Sequence, residues 1–190
     1  MKLEPCPWAL KSKYLQEYHD TYWGIPEYDE LKLFQMLILE GQQAGLSWDL
    51  ILRKQSAMLK AYDNFDPVIL SKYDESKIIE LKSNPDIIRN KLKIRAAISN
   101  AKAYYELIKY HQSLKDFIWE HVAYQPIINY YNSPKAVPTT TALSDEISLK
   151  LKKLGFKFVG SITIQSYLEA CGIYNNHLTN CPCHPNNKKG

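Results

Sequence analysis

Six times along this chain an aspartate or a serine stands directly before an apolar run with helical spacing, and this recurrence restricts the fold more than any other feature. Asp29 precedes ELKLFQMLILE, Ser47 precedes WDLILRKQSAMLKAY, and Asp66 with Pro67 opens VILSKY. Asp74 precedes ESKIIELK, Ser113 precedes LKDFIWEHV, and Ser144-Asp145-Glu146 opens ISLKLKKL. A side-chain oxygen at such a position accepts an N–H that the first helical turn leaves unpaired, proline suits the first helical position, and acids there complement the helix dipole. An unbroken apolar stripe predicts a longest helix from about Arg89 to Tyr110. Period-two alternation is almost absent, so the expected fold class is all-α. The segment Gln125 to Ala142, QPIINYYNSPKAVPTTTA, has three prolines and no stripe, and reads as a long ordered connection.

A length of 190 residues suits one domain over 1–190, built as two lobes on a shared core. With 45% hydrophobic and 23% charged residues the composition is that of a folded globular chain and excludes a disordered one. No apolar run reaches the roughly 20 residues that span a bilayer. The N-terminal MKLEPCPWALKSKY lacks the apolar core of a secretory signal, so the expected compartment is the cytoplasm, without a membrane partner. Four cysteines in that compartment raise metal binding rather than disulfides. A net charge of +4 is mild and by itself says little about an anionic partner.

One helical stripe ends strangely. Leu33, Met36 and Leu37 fall at i, i+3 and i+4, and the i+7 position is Glu40, inside ILEGQQAGLSW. A buried carboxylate without a partner is costly, so it is protonated, paired or reserved for a ligand; the ordinary alternative is a frayed helix end facing water. Rings crowd the N-terminal segment: Trp8, Tyr14, Tyr18, Tyr22 and Trp23, with Trp48 further on. They are either core packing, as expected for Trp119, or a cage for a flat cation that a nearby carboxylate neutralises.

The segment IIELKSNPDIIRNKLKIRAAI fits two helices broken at Asn84-Pro85-Asp86, with Arg89, Lys91, Lys93 and Arg95 following the break. A helix-hairpin-helix near 75–100 would aim backbone N–H groups at a DNA phosphate; the alternative is an ordinary helical hairpin with a solvated basic face. Near the two ends stand Cys6, His19 and the run HLTNC, in which His177 and Cys181 share a face if that run is a helical turn. Together they would make a closed Cys2His2 zinc site, although Cys6 and His19 match no short zinc-finger spacing, and Cys183 and His184 offer alternative ligands. Cys171, in SYLEACGIY, reads as a small core residue.

Taken together, YHDTYWGIPEYDELKLF, LEGQQAGLSW, IIRNKLKIRAAISNAKAYYEL, LKKLGFKFVG and HLTNC resemble the 3-methyladenine DNA glycosylase I family, within the helix-hairpin-helix DNA glycosylase superfamily, in the family's own order. The resemblance implies hydrolysis of the N-glycosidic bond of 3-methyladenine in double-stranded DNA, releasing the base and leaving an abasic site without strand cleavage. It implies a structural zinc (Zn2+) on Cys6, His19, His177 and Cys181, and a base pocket of Trp8, Tyr18, Trp23, Glu40 and Trp48, with Glu40 the candidate catalytic residue. Gly45 and Leu46 would lie at the lesion, Arg89 and Lys91 on the DNA backbone, and the chain would work as a monomer. Two positions depart from the family: Leu15 stands where a second tyrosine is usual, and Asp86 where the hairpin carries a glycine. The contrasting expectation is a non-catalytic, zinc-stapled module that binds alkylated bases without releasing them.

Overall fold

The computed structural model describes residues 2–187. Helices dominate it: α1 (Lys13–Thr21), α2 (Glu30–Gln43), α3 (Trp48–Ala61), α4 (Pro67–Leu70), α5 (Glu75–Ser83), α6 (Lys91–Tyr110), α7 (Leu114–Trp119), α8 (Ala142–Lys153) and α9 (Ser161–Ala170). Asp29, Ser47, Asp66, Asp74 and Ser113 each cap the helix they precede, accepting an N–H two or three residues on. The sixth expected start is displaced. Ser144 lies inside α8; Thr141 is the cap, accepting from the Ser144 N–H while the Ser144 hydroxyl accepts from the Thr141 N–H. The longest helix begins at Lys91 rather than Arg89, because Asn90 turns its side-chain oxygen to the N–H groups of Leu92 and Lys93.

α2 is the axis of the molecule. From Leu33 to Gln42 only Gln35 escapes burial, because α9, α3, α7 and α6 surround the helix. A single stripe was too narrow an expectation: a helix apolar on most sides is one the core encloses. The buried residues form one connected core that runs from Cys6 to Cys181, and Trp119 and Cys171 are fully buried within it.

The connection before α8 holds the one departure from an all-α chain among the described residues. Ile127–Ile128 (β1) pairs in parallel with Tyr174–Asn175 (β2), and the N–H groups of Ile127 and Asn129 donate to the carbonyls of Ile173 and Asn175. The two short strands fasten the C-terminal segment to the connection. Gly172 makes a neighbouring crossing possible: its φ is +72°, and a Cβ there would stand 2.3 Å from the carbonyl carbon of Ile25. No helix among the described residues is long and apolar enough to cross a membrane.

Candidate functional site

The two ends of the chain meet around four ligating atoms. Cys6 lies just ahead of the 3-10 turn Ala9–Lys11, His19 in the last turn of α1, and His177 and Cys181 beyond β2. His177 Nδ1 is 3.1 Å from His19 Nε2, 3.5 Å from Cys181 Sγ and 3.9 Å from Cys6 Sγ. Cys181 Sγ is 3.4 Å from His19 Nε2, and all four atoms lie within 4.8 Å of one another. Zinc bonds of about 2.0–2.1 Å to nitrogen and about 2.3 Å to sulfur give tetrahedral edges of roughly 3.3–3.8 Å, so the spacing fits a closed tetrahedral cation. The outer ring nitrogens are held as metal ligands usually are: His19 Nδ1 by Asp20 Oδ1 at 2.7 Å, and His177 Nε2 by the Trp23 carbonyl at 3.0 Å.

His177 and Cys181 do not share a helical turn. The segment is irregular, and a tight turn with the Cys181 N–H donating to the Leu178 carbonyl at 2.8 Å brings the thiol round. Neither alternative ligand joins the four. Cys183 Sγ stands on the outer side of the His19 ring, 3.9 Å from Nδ1, and His184 Nε2 is 3.1 Å from the Asn129 carbonyl.

Beside this centre opens a cleft of about 480 Å³. Trp8, Tyr18, Trp23, Glu40 and Trp48 all line it, and so does Leu15. Trp8 meets Trp23 edge to face at 5.1 Å, and Trp48 meets Tyr18 likewise at 5.4 Å. Trp8 also packs on His19 at 5.2 Å and Trp23 on His177 at 4.7 Å, so the walls of the cleft lean directly on the ligating rings. Tyr14 and Tyr22 belong instead to a second cavity on the far side of Tyr18.

Glu40 is 3% exposed, and its Oε2 has no hydrogen-bond partner among the described residues; neither has Trp48 Nε1. Burial, and then the charge of Glu169, holds the Glu40 carboxyl well above the usual carboxylate range. An unmatched acceptor and an unmatched donor on residues of one aromatic cleft suit a flat molecule bearing both kinds of polar edge.

Sequence reasoning missed Glu169, Ser166, Asp49 and Lys11, all of which line the cleft. Lys11 is a lysine beside the rings where none was expected, although it stays exposed at the rim. Glu169 carried the same signal as Glu40, an acid within an apolar helical run, but SYLEACGIY drew attention only to its cysteine.

Gly45 and Leu46 form the turn between α2 and α3. Gly45 has φ +74° with open space around it, so backbone conformation alone demands glycine, and Leu46 is exposed. Arg89 and Lys91 are exposed at the start of α6. The basic run is not one solvated face, however. Arg95 is paired with Glu75, and Lys93 is buried, its Nζ donating to the carbonyls of Gln42 at 2.6 Å and Ala44 at 2.7 Å. These carbonyls end α2, so a cation there satisfies them and ties the 44–47 turn to the hairpin helix. Lys93→Met should cost about 1–3 kcal/mol in urea unfolding, since it strands both carbonyls; an unchanged midpoint would show that water replaces the ammonium freely. Asp86 donates its N–H to Asn84 Oδ1 at 2.9 Å and is not among the residues with positive φ, so its backbone does not require the family's glycine.

Residues 8–184 match the family described as methyladenine glycosylase. The chain is 41% identical over 186 residues to DNA-3-methyladenine glycosylase 1 of Escherichia coli strain K12, covering 98% of this chain and 100% of that one. It is 40% identical over 178 residues to DNA-3-methyladenine glycosylase of Haemophilus influenzae, covering 94% and 96%. Among solved structures it is similar to 3-methyladenine DNA glycosylase I from Staphylococcus aureus, with a TM-score of 0.93, 34% identity, and coverage of 97% of this chain and 98% of that one.

Proposed function

Because this chain belongs to the methyladenine glycosylase family, we propose that the cleft takes up an extruded 3-methyladenine from double-stranded DNA and that hydrolysis leaves an abasic site. The protein is a DNA-3-methyladenine glycosylase. The observation that carries the assignment of its site is Glu40: a buried carboxyl with an unpartnered oxygen, set among indole and phenol rings.

Methylation at N3 makes the base of the nucleoside cationic and weakens its bond from N9 to the sugar. When that bond breaks, its electron pair stays with the base, which leaves neutral, and water adds to the sugar carbon and gives up a proton. The leaving group is already good, so extraction and recognition matter more than a strong acid. Trp8, Tyr18, Trp23 and Trp48 offer ring faces to the cation, and Glu40 accepts from its exocyclic amine. Leu15 replaces a tyrosine with an aliphatic wall, which fills space but offers no ring face or hydroxyl. Gly45 and Leu46 occupy the gap left in the duplex, and Arg89 and Lys91 meet phosphates beside the helix-hairpin-helix formed by α5 and α6.

Neither nearby lysine suits strand cleavage through a covalent imine: Lys11 is exposed, and Lys93 is committed to two carbonyls. The reaction therefore stops at the abasic site. A zinc ion held by Cys6, His19, His177 and Cys181 would have no open position for water, so its contribution is structural. We place the protein in the cytoplasm, acting as a monomer.

The test is release of free 3-methyladenine from methylated duplex DNA. Trp48→Ala should lower single-turnover release by about 10-fold or more, the size expected for losing one stacking wall in a closed pocket. Binding of lesion DNA with no release would instead identify a non-catalytic sensor of alkylated bases.

A further inference from the structure

Three acids line this cleft, and two of them, Glu40 and Glu169, have no cation of their own. Glu40 comes from α2 and Glu169 from α9, one turn after Ser166. Among the described residues, neither makes an ion pair. Lys11 and Asp49 stand in the same cleft, and Asp49 is already paired with Arg53 at 2.8 Å. Burial keeps the other titratable groups near Glu40, Tyr18 and Cys171, in their neutral forms.

Glu169 is held by a chain of amides that fixes its role as acceptor. Its Oε1 accepts from Gln165 Nε2 and from Asn176 Nδ2, both at 2.9 Å. The Gln165 oxygen is occupied by the Thr141 hydroxyl at 2.9 Å, and the Asn176 oxygen by Asn129 Nδ2 at 2.8 Å. Each amide thus has its oxygen engaged elsewhere and presents its NH2 to Glu169. Such an arrangement orients a carboxylate at the wall of a ligand cleft.

We propose that Glu169 is a second charge-recognition residue: together with Glu40 it commits the cleft to a flat base bearing one positive charge and rejects the neutral base of the same outline. The inference rests on the function proposed above. Burial biases both carboxyls toward their protonated forms, and a neutral base does nothing to reverse this, whereas a cation between them stabilises the ionised forms and draws the protons off. The base that leaves after bond cleavage is neutral, so the same two acids loosen the hold on product.

The test compares binding of 3,9-dimethyladeninium, a fixed cation whose N9 methyl stands in for the sugar, with binding of neutral 9-methyladenine. Calorimetry is done on the full chain and on Glu169→Gln, a variant that can still accept from both amides. The natural chain should favour the cation, and E169Q should lose about tenfold of the cation's affinity with no loss for the neutral base. An unchanged preference in E169Q overturns the proposal and leaves Glu169 a structural acceptor. Should E169Q fail to fold, the natural chain still decides. Titrations in buffers of different ionisation enthalpy should show more proton release for the cation than for the neutral base, and equal release overturns the proposal. Base release from methylated DNA is measured in parallel. A chain that prefers the cation but releases no base defeats the function reading and supports this one; release with an unchanged preference in E169Q does the reverse.

Discussion

Glu40→Gln should release 3-methyladenine about 10- to 100-fold more slowly than the natural chain in single turnover, since a hydrogen bond to a charged acceptor is worth about 1.5–3 kcal/mol. The amide keeps the shape of the site and one acceptor but loses the charge that answers a cationic base. The same substitution should stabilise the fold increasingly as pH rises. Burial first, and Glu169 second, raise the folded-state carboxyl above its ordinary 4.5. Above that value the unfolded chain gives up the proton while the folded chain keeps it, so the folded state binds more protons and its stability falls as pH climbs toward the raised value. The stability that Glu40 contributes is therefore fully present below pH 4.5 and is lost on the alkaline side. Glutamine has no proton to lose. Urea unfolding at about pH 5 and about pH 8 should show the variant's advantage growing with pH. Equal release rates in the two proteins would remove Glu40 from recognition.

Loss of the metal should do the greatest damage to stability. Elemental analysis of protein purified without chelator should find about one zinc per chain. Structural zinc in small peptides binds with apparent energies of about 10–16 kcal/mol, of which a chain with a large core shows only part. Even about 5 kcal/mol, at roughly 2–4 °C per kcal/mol for a chain of this size, lowers Tm by about 10–20 °C. Cys181→Ser should lose the metal and Cys183→Ser should keep it, because of these two sulfurs that of Cys181 belongs to the four-atom cluster and that of Cys183 does not. The opposite pattern would reassign the ligand. Base release should fall with the metal, since Trp8 and Trp23 pack on His19 and His177.

What could be read in the sequence follows the range over which each signal acts. Five caps were legible because a cap and the N–H it receives lie two or three residues apart. Thr141 and Ser144 sit three apart and serve each other, so the pair alone does not say which begins the helix. α1 and α9 went unread, the second because Gly160 precedes it with no side-chain cap. Glu40 was legible as a misfit of period, yet the ligand suggested for it came only through family resemblance. The metal cluster joins residues as far apart in sequence as Cys6 and His177, which no local spacing encodes. Lys93 illustrates the limit most plainly: within a run of basic residues nothing marks it as the one drawn inward, because its partners are the carbonyls of a distant helix end.

The meeting of the chain's two ends also sets an order of assembly during synthesis. Early segments of a nascent protein ordinarily settle before late ones exist. Here Trp23 leans on His177, the Gly24 N–H waits for the Glu169 carbonyl, and the Glu4 N–H for that of Asn180. α2 and α3 can pack while translation continues, but the wall that closes over the base cannot. A ribosome stalled short of Cys181 would therefore display a largely helical chain with no competent cleft, and activity would begin only as the last part of the described chain emerged.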